Sequence, residues 1–197
     1  MKLSLVAPCY NEEGNVRLFC EEAGKILAGY DYEIVFINDG SKDGTLKVLR
    51  ELYAEKKEQM TIINFSRNFG KEAAMYAGLQ HAKGDYVVII DTDLQQPIEV
   101  AREMMDFLEE HPEYDEVAAY QEERKEGKIM TAFKSAFYSM INKLCDVELY
   151  KNASDFRCMR RCVVDAILQM TEYHRFSKGI FAWIGFETYY RPYEVRE

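Results

Sequence analysis

Four short apolar runs, each followed by a stretch with helical periodicity, recur through the first 110 residues and restrict the fold more than any other property of the chain. The runs at 2–8 (KLSLVAP), 32–39 (YEIVFIND), 60–66 (MTIINFS) and 85–91 (DYVVIID) read as strands. Helices are expected over 11–27, about 44–57 and 70–82, and again from Pro97, a residue suited to the first helical position. Glu12 and Glu13 fall in the first turn of the first predicted helix, where carboxylates favour the positive end of the dipole. Strands and helices alternating at this spacing imply right-handed crossovers and a mainly parallel sheet covered by helices on both faces. The unbroken apolar stretch Val87 to Ile90 suits a strand buried on both sides. Ligands of open α/β sheets bind beyond the carboxyl ends of the strands, so the functional candidates lie at 8–12, 38–41, 66–71 and 91–95.

A chain of 197 residues fits one domain, 1–197, since domains most often run to roughly 100–150 residues. Its net charge of −9 speaks against a nucleic-acid partner, which calls for a basic face. The charge is uneven: residues 157–197 carry seven Lys/Arg against five Asp/Glu, net +2, which leaves −11 on the remainder, so an anion is best received near the C-terminal end. The five cysteines are odd in number, with no C-x-x-C spacing, and suggest a reducing compartment rather than a zinc site or disulfide framework. Cys158 and Cys162 are spaced to share a helix face and read as small buried hydrophobes. No apolar stretch approaches the roughly 20 residues that cross a bilayer. Beyond Tyr120 the rhythm changes. Residues 121–128 form a charged connection, and 129–144 place Met130, Phe133, Phe137, Met140, Ile141 and Leu144 on one helical stripe, read as core-facing with a lipid-facing role as the alternative.

The fourth apolar run ends in DTDLQQPIE (91–99), two carboxylates two residues apart with an amide two further on. Neither G-x-G-x-x-G nor G-x-x-x-x-G-K-[ST] is present, so a phosphate ligand needs another means of neutralisation. Asp91, Asp93 and the amide oxygen of Gln95 are hard oxygen donors suited to Mg²⁺ or Mn²⁺, which bridges to a diphosphate. The plainer alternative is that one aspartate caps the helix at Pro97.

Five further segments accompany this one. VAPCYNEEGNV (6–16), INDGSKDGT (37–45), RNFGKEAAMYAGL (67–79), DTDLQQPIE (91–99), DFRCMRR (155–161) and HRFSKGIFAWIGF (174–186) resemble, in order, the blocks of glycosyltransferase family 2. Within it they resemble the branch that transfers a sugar from a nucleotide sugar to a polyprenyl phosphate, which includes undecaprenyl-phosphate glycosyltransferases and dolichol-phosphate mannose synthases. The resemblance implies a GT-A type, Rossmann-like fold and an inverting hexosyl transfer assisted by Mg²⁺ or Mn²⁺. UDP-glucose is the favoured donor and a polyprenyl phosphate the acceptor, at the cytoplasmic face of a membrane. It further implies that Pro8, Tyr10, Glu12 and Asp39 surround the base and ribose, and that Lys71 and Arg124 face the donor diphosphate. Asp91, Asp93 and Gln95 would hold the metal, with Asp93 counted as catalytic beside Asp155, the position of the base. Arg175 and Lys178 would receive the acceptor phosphate. Where the family commonly reads D-A-D-L-Q-D-P-P, this chain has Thr92, Gln96 and Ile98, which leaves both aspartates intact.

Each basic or acidic candidate also has a local reading: Asp155 paired with Arg157, Lys71 with Glu72, and the remaining cations as solvated charges. A phosphate acceptor, with its second pKa near about 6, is already largely ionised at neutral pH, so Asp155 is expected to orient the acceptor more than to deprotonate it. Relatives in this branch often carry transmembrane helices after the catalytic domain, and the chain is expected to lack that anchor. The competing readings are a family 2 enzyme with a saccharide hydroxyl acceptor and a catalytically silent sugar-nucleotide-binding module; a dinucleotide oxidoreductase is disfavoured by the missing glycine fingerprint. A homo-oligomer is left open.

Overall fold

The structure is a computed structural model that describes residues 1–121, 153–170, 172 and 176–196. The stripe predicted over 129–144, together with Arg124, Cys145 and Arg175, lies outside the described residues.

The alternation anticipated above is present. β1 (Lys2–Cys9), α1 (Val16–Ile26), β2 (Asp31–Asn38), α2 (Thr45–Lys56), β3 (Met60–Asn64), α3 (Lys71–His81), β4 (Tyr86–Ile89) and α4 (Ile98–Glu110) follow in order. The second half adds β5 (Glu116–Gln121), β6 (Ala153–Arg160), α5 (Arg161–Gln169), α6 (Ser177–Trp183) and β7 (Thr188–Tyr193). The sheet has seven strands in the order β3-β2-β1-β4-β6-β5-β7. Every neighbouring pair is parallel except those of β6, which runs antiparallel to both β4 and β5.

Side chains alternate across each strand, so one strand feeds two cores. Leu3, Leu5, Ala7 and Cys9 of β1 pack with Phe19 of α1, Leu49 of α2 and Met104 and Leu108 of α4 on one face. Val6, between them, joins Val35, Ile37, Val87 and Ile89 against Met75 and Leu79 of α3, Val163 and Ile167 of α5 and Phe181 of α6 on the other. Both faces are therefore covered, which is why β1, β2 and β4 read as continuous apolar runs. α3 lies close against the sheet at Gly78, where a Cβ would come within 2.3 Å of Val6 Cγ1 and 2.7 Å of Ile37 Cδ1.

Three local expectations need correction. α1 begins at Val16, not at residue 11, because the backbone of 11–13 is drawn into hydrogen bonds with the 41–45 loop. Its first turn accordingly holds no acidic residue. Pro97 is the residue before α4, with ψ 131°, so the helix proper starts at Ile98. Cys158 and Cys162 do not share a helix: Cys158 is buried on β6, while Cys162 is exposed in the first turn of α5.

Candidate active site at the strand ends

The carboxyl ends of β1, β2 and β4 meet along one edge of the sheet, and the loops that leave them are tied together by side chains bonding to backbone. After β1, Asn11 has a left-handed φ of 58° and its N–H donates to Ser41 Oγ at 2.9 Å, while its Oδ1 accepts from Lys42 N–H at 2.8 Å. The N–H of Glu12 donates to Thr45 Oγ1 at 2.8 Å, and Glu13 Oε2 accepts from Gly44 N–H at 2.6 Å. Burial works against the Asp43 carboxylate, yet the hydroxyl and N–H of Thr45 and the N–H of Glu13 hold its pKa below the usual range. Tyr10 stands exposed above this zipped pair of loops, and Glu12 is half-buried within it, accepting from Asn15 Nδ2 at 2.6 Å.

Asp39, at the end of β2 and 4% exposed, accepts from Phe69 N–H at 2.7 Å through Oδ1 and from Gly70 N–H at 2.9 Å through Oδ2. Each carboxylate oxygen keeps a second lone pair for another donor. The crossing is possible because residue 40 is glycine: at φ 65°, a Cβ there would lie 2.2 Å from the carbonyl carbon of Arg67. Cys9 is beneath, its thiol donating to Ile37 O at 3.4 Å. Burial, followed by the charges of Glu12, Asp43 and Asp39, pushes its pKa up to about 12, so it offers no thiolate nucleophile.

A charge cluster forms where β4 ends beside β6. Lys71, the first residue of α3, places Nζ 2.7 Å from Asp91 Oδ1, 2.9 Å from Asp91 Oδ2 and 3.5 Å from Asp155 Oδ2. Burial alone would lower the Lys71 pKa, but Asp91 and then Asp155 outweigh it and raise the value above the ordinary one. Gln96 makes two bonds to Asp91: its Oε1 accepts from Asp91 N–H at 2.9 Å and its Nε2 donates to Asp91 Oδ2 at 3.1 Å. Asp93 is exposed, and its Oδ1 accepts from Gln95 N–H at 3.0 Å across a tight turn. Between them Leu94 takes a left-handed φ of 62°, a conformation costing about 1–2 kcal/mol that the turn and the contact of Leu94 with the core offset. Neither aspartate caps α4, which has no side-chain cap.

Two of the local pairings considered from sequence are overturned. Lys71 bonds Asp91 and Asp155, while Glu72 accepts instead from the backbone N–H, shared between its two oxygens, and the hydroxyl of Ser177 at the start of α6. Arg157 turns away from Asp155 to Glu116, with bonds of 3.2 and 3.1 Å, and stacks 3.5 Å over the ring of Phe181. Lys178 is half-buried in the first turn of α6.

Asp91 and Asp93 supply hard anionic oxygens on one short loop, a donor set that suits Mg²⁺ or Mn²⁺. Among the described residues no group of three or more His, Cys, Asp or Glu side chains is placed to hold a metal ion, so a cation here would take its remaining ligands from a diphosphate and water. The residues present fit such an ion in the way Mg²⁺ is held with phosphates, by one or two carboxylates rather than an all-protein cage.

A mostly parallel sheet with helices on both faces and a D-x-D at the end of its fourth strand is GT-A-like, the architecture of nucleotide-sugar-dependent glycosyltransferases. The chain belongs to glycosyl transferase family 2, whose family model matches residues 4–168. It is 42% identical over 187 residues to the putative glycosyltransferase CsbB of Bacillus subtilis, covering 94% of this chain and 56% of that protein. It is 40% identical over 191 residues to the bactoprenol glucosyl transferase of Shigella phage SfV, covering 95% of this chain and 61% of that one. The chain thus spans rather more than half the length of these relatives. Among solved structures, the mannosyltransferase PcManGT of Pyrobaculum calidifontis, in complex with GDP-Man and Mn²⁺, superposes with a TM-score of 0.67 at 18% identity, over 96% of this chain and 54% of that one. Glucosyl-3-phosphoglycerate synthase of Mycobacterium tuberculosis, with Mn²⁺, UDP-glucose and phosphoglyceric acid, gives 0.58 at 19% identity, over 97% and 69%. These structural likenesses establish the fold.

Proposed function

We propose that the protein transfers a hexose from a nucleotide sugar to a polyprenyl phosphate at the cytoplasmic face of a membrane, with inversion at the anomeric carbon. UDP-glucose is the favoured donor. The bactoprenol glucosyl transferases among its relatives support the acceptor class and the sugar. The observation that carries the reading is the Asp91–Lys71–Asp155 cluster, which brings two carboxylates and one ammonium together where the end of β4 meets the start of β6.

In this scheme Pro8, Tyr10, Glu12 and Asp39 line the base and ribose, with Asp39 fixed by the N–H groups of Phe69 and Gly70. Asp91, Asp93 and Gln95 would hold Mg²⁺ or Mn²⁺, which when bound stabilises negative charge on the leaving nucleoside diphosphate. Gln96 orients Asp91 from behind, as residues supporting a metal ligand do. Asp155 orients the acceptor oxygen and the sugar; a dianionic phosphate needs little help in losing a proton, its second pKa lying near about 6. Lys178 and Arg175 receive the acceptor phosphate, and Arg124 reaches the donor diphosphate. The chain works as one catalytic domain.

A panel of UDP- and GDP-sugars offered with undecaprenyl phosphate or a saccharide acceptor, with Mg²⁺ or Mn²⁺, tests this. Glycolipid formed from one donor and abolished by EDTA is expected. Transfer only to the saccharide hydroxyl, or donor binding without turnover on any acceptor, would overturn it.

A further inference from the structure

Both oxygens of Asp91 are already engaged by the protein itself. Lys71 Nζ contacts both of its oxygens, and Gln96 Nε2 takes a further bond at Oδ2. A divalent ion held by Asp91 would stand against the Lys71 ammonium, and two cations do not share one carboxylate without strong repulsion. The rest of Lys71's surroundings narrows where it goes. Its neighbour Glu72 is committed to Ser177, and the backbone just before it is anchored through Gly70 N–H to Asp39. The start of α3 therefore stays in place while the long lysine stem swings, and among the described residues the anion that remains within reach is Asp155, 3.5 Å away.

We propose that Lys71 is a resident cation that holds Asp91 and Asp155 together in the nucleotide-free protein and yields Asp91 to the divalent ion when the donor arrives. The ammonium then stays beside Asp155 as a counter-charge for the departing diphosphate. The idea rests on the metal reading of Asp91 given above. It has two consequences: the ion binds weakly to the nucleotide-free protein, and a nucleoside diphosphate, by giving the displaced ammonium a new partner, tightens ion binding.

Free Mn²⁺ measured by electron paramagnetic resonance, in titrations of the nucleotide-free protein, reads this directly. Lys71→Met and Lys71→Gln should each bind Mn²⁺ about fivefold tighter than the parent, the ratio expected on removing a competing half-exposed ion pair. Lys71→Arg, which keeps the charge, should not. The gain should persist in about 1 M KCl, where charges are screened beyond about 3 Å and a merely long-range field effect disappears. UDP should tighten Mn²⁺ binding in the parent more than in Lys71→Met. Unchanged or weaker binding in both neutral variants, or a gain abolished by salt, would overturn the competition. Asp91→Asn separates the two levels. If it leaves Mn²⁺ binding intact, the metal reading falls and the competition with it; if it abolishes binding while the neutral Lys71 variants gain nothing, the competition alone falls.

Discussion

Arg157→Met removes the cation from an ion pair sealed inside the protein, and the structure sets what that should cost. Arg157 is 3% and Glu116 1% exposed. The guanidinium gives two bonds to the carboxylate, Thr188 Oγ1 donates a third at 2.7 Å, and Phe181 covers the guanidinium face. Taking away one partner of such a pair leaves a buried charge uncompensated, at a cost of about 3–5 kcal/mol. For a domain of this size that corresponds to a melting temperature lower by roughly 6–20 °C. The pair as a whole is a different matter. Arg157 Nε is buried with no partner among the described residues, which subtracts about 1–3 kcal/mol from the pair's worth. The double variant Arg157→Met with Glu116→Leu should therefore regain most of the loss and lie near the parent or above it. Thr188 tolerates this, because its hydroxyl also bonds Phe186 O at 3.2 Å. Urea unfolding followed by circular dichroism on the parent, both single variants and the double variant gives the cycle. If Arg157→Met costs under about 1 kcal/mol, the side chain is not sealed as described. If the double variant costs the sum of the singles, the two side chains are not coupled and the reasoning is wrong.

Gln96→Ala frees the Asp91 carboxylate and its N–H together, and should lower activity or metal affinity by about 10–100-fold with little change in melting temperature, checked by a Mn²⁺ dependence of turnover. Asp155→Asn should lose activity that raising the pH does not restore, with weaker acceptor binding; full rescue at high pH with normal acceptor affinity would make Asp155 a general base instead. For Glu33, burial would raise the pKa, but Ser4, the N–H of Lys83 and Lys2 lower it below 4.5. A depressed carboxylate contributes stability above its unfolded pKa and loses it as the pH falls through the folded one. Glu33→Gln should therefore cost stability at pH 7 and progressively less as the pH falls below the unfolded carboxylate value of about 4.3, read from urea midpoints along a pH series.

The parallel half of the sheet was legible because its strands are buried on both faces and leave an unmistakable apolar signature. The boundaries that slipped did so where side chains captured backbone: the first helix starts late because Ser41 and Thr45 accept the N–H groups of Asn11 and Glu12. β6 was not legible as a strand. Its sequence, ASDFRCMR, places Arg157 and Cys158 inside, and only the distant Glu116 makes a buried arginine tolerable there. The site residues drew attention by lying at strand ends and in recurring motifs, but their partners did not. That Lys71 would join Asp91 to Asp155, across 20 and 84 positions, follows from sheet order, which local sequence does not encode. Gln96 stood out only as a departure from the usual aspartate, with nothing local to reveal its two bonds to Asp91.

The reversed strand β6 also bears on how the protein comes into being. β4 pairs on one side with β1, and on the other with β6, whose residues are made some seventy positions later. During synthesis the three-layered amino-terminal half can collapse early, yet the flank of β4 stays an open, sticky edge until Arg160 has left the ribosome. The step that closes this edge is the same one that delivers Asp155 to Lys71, so a nascent chain assembles this charge cluster only when that open border is sealed.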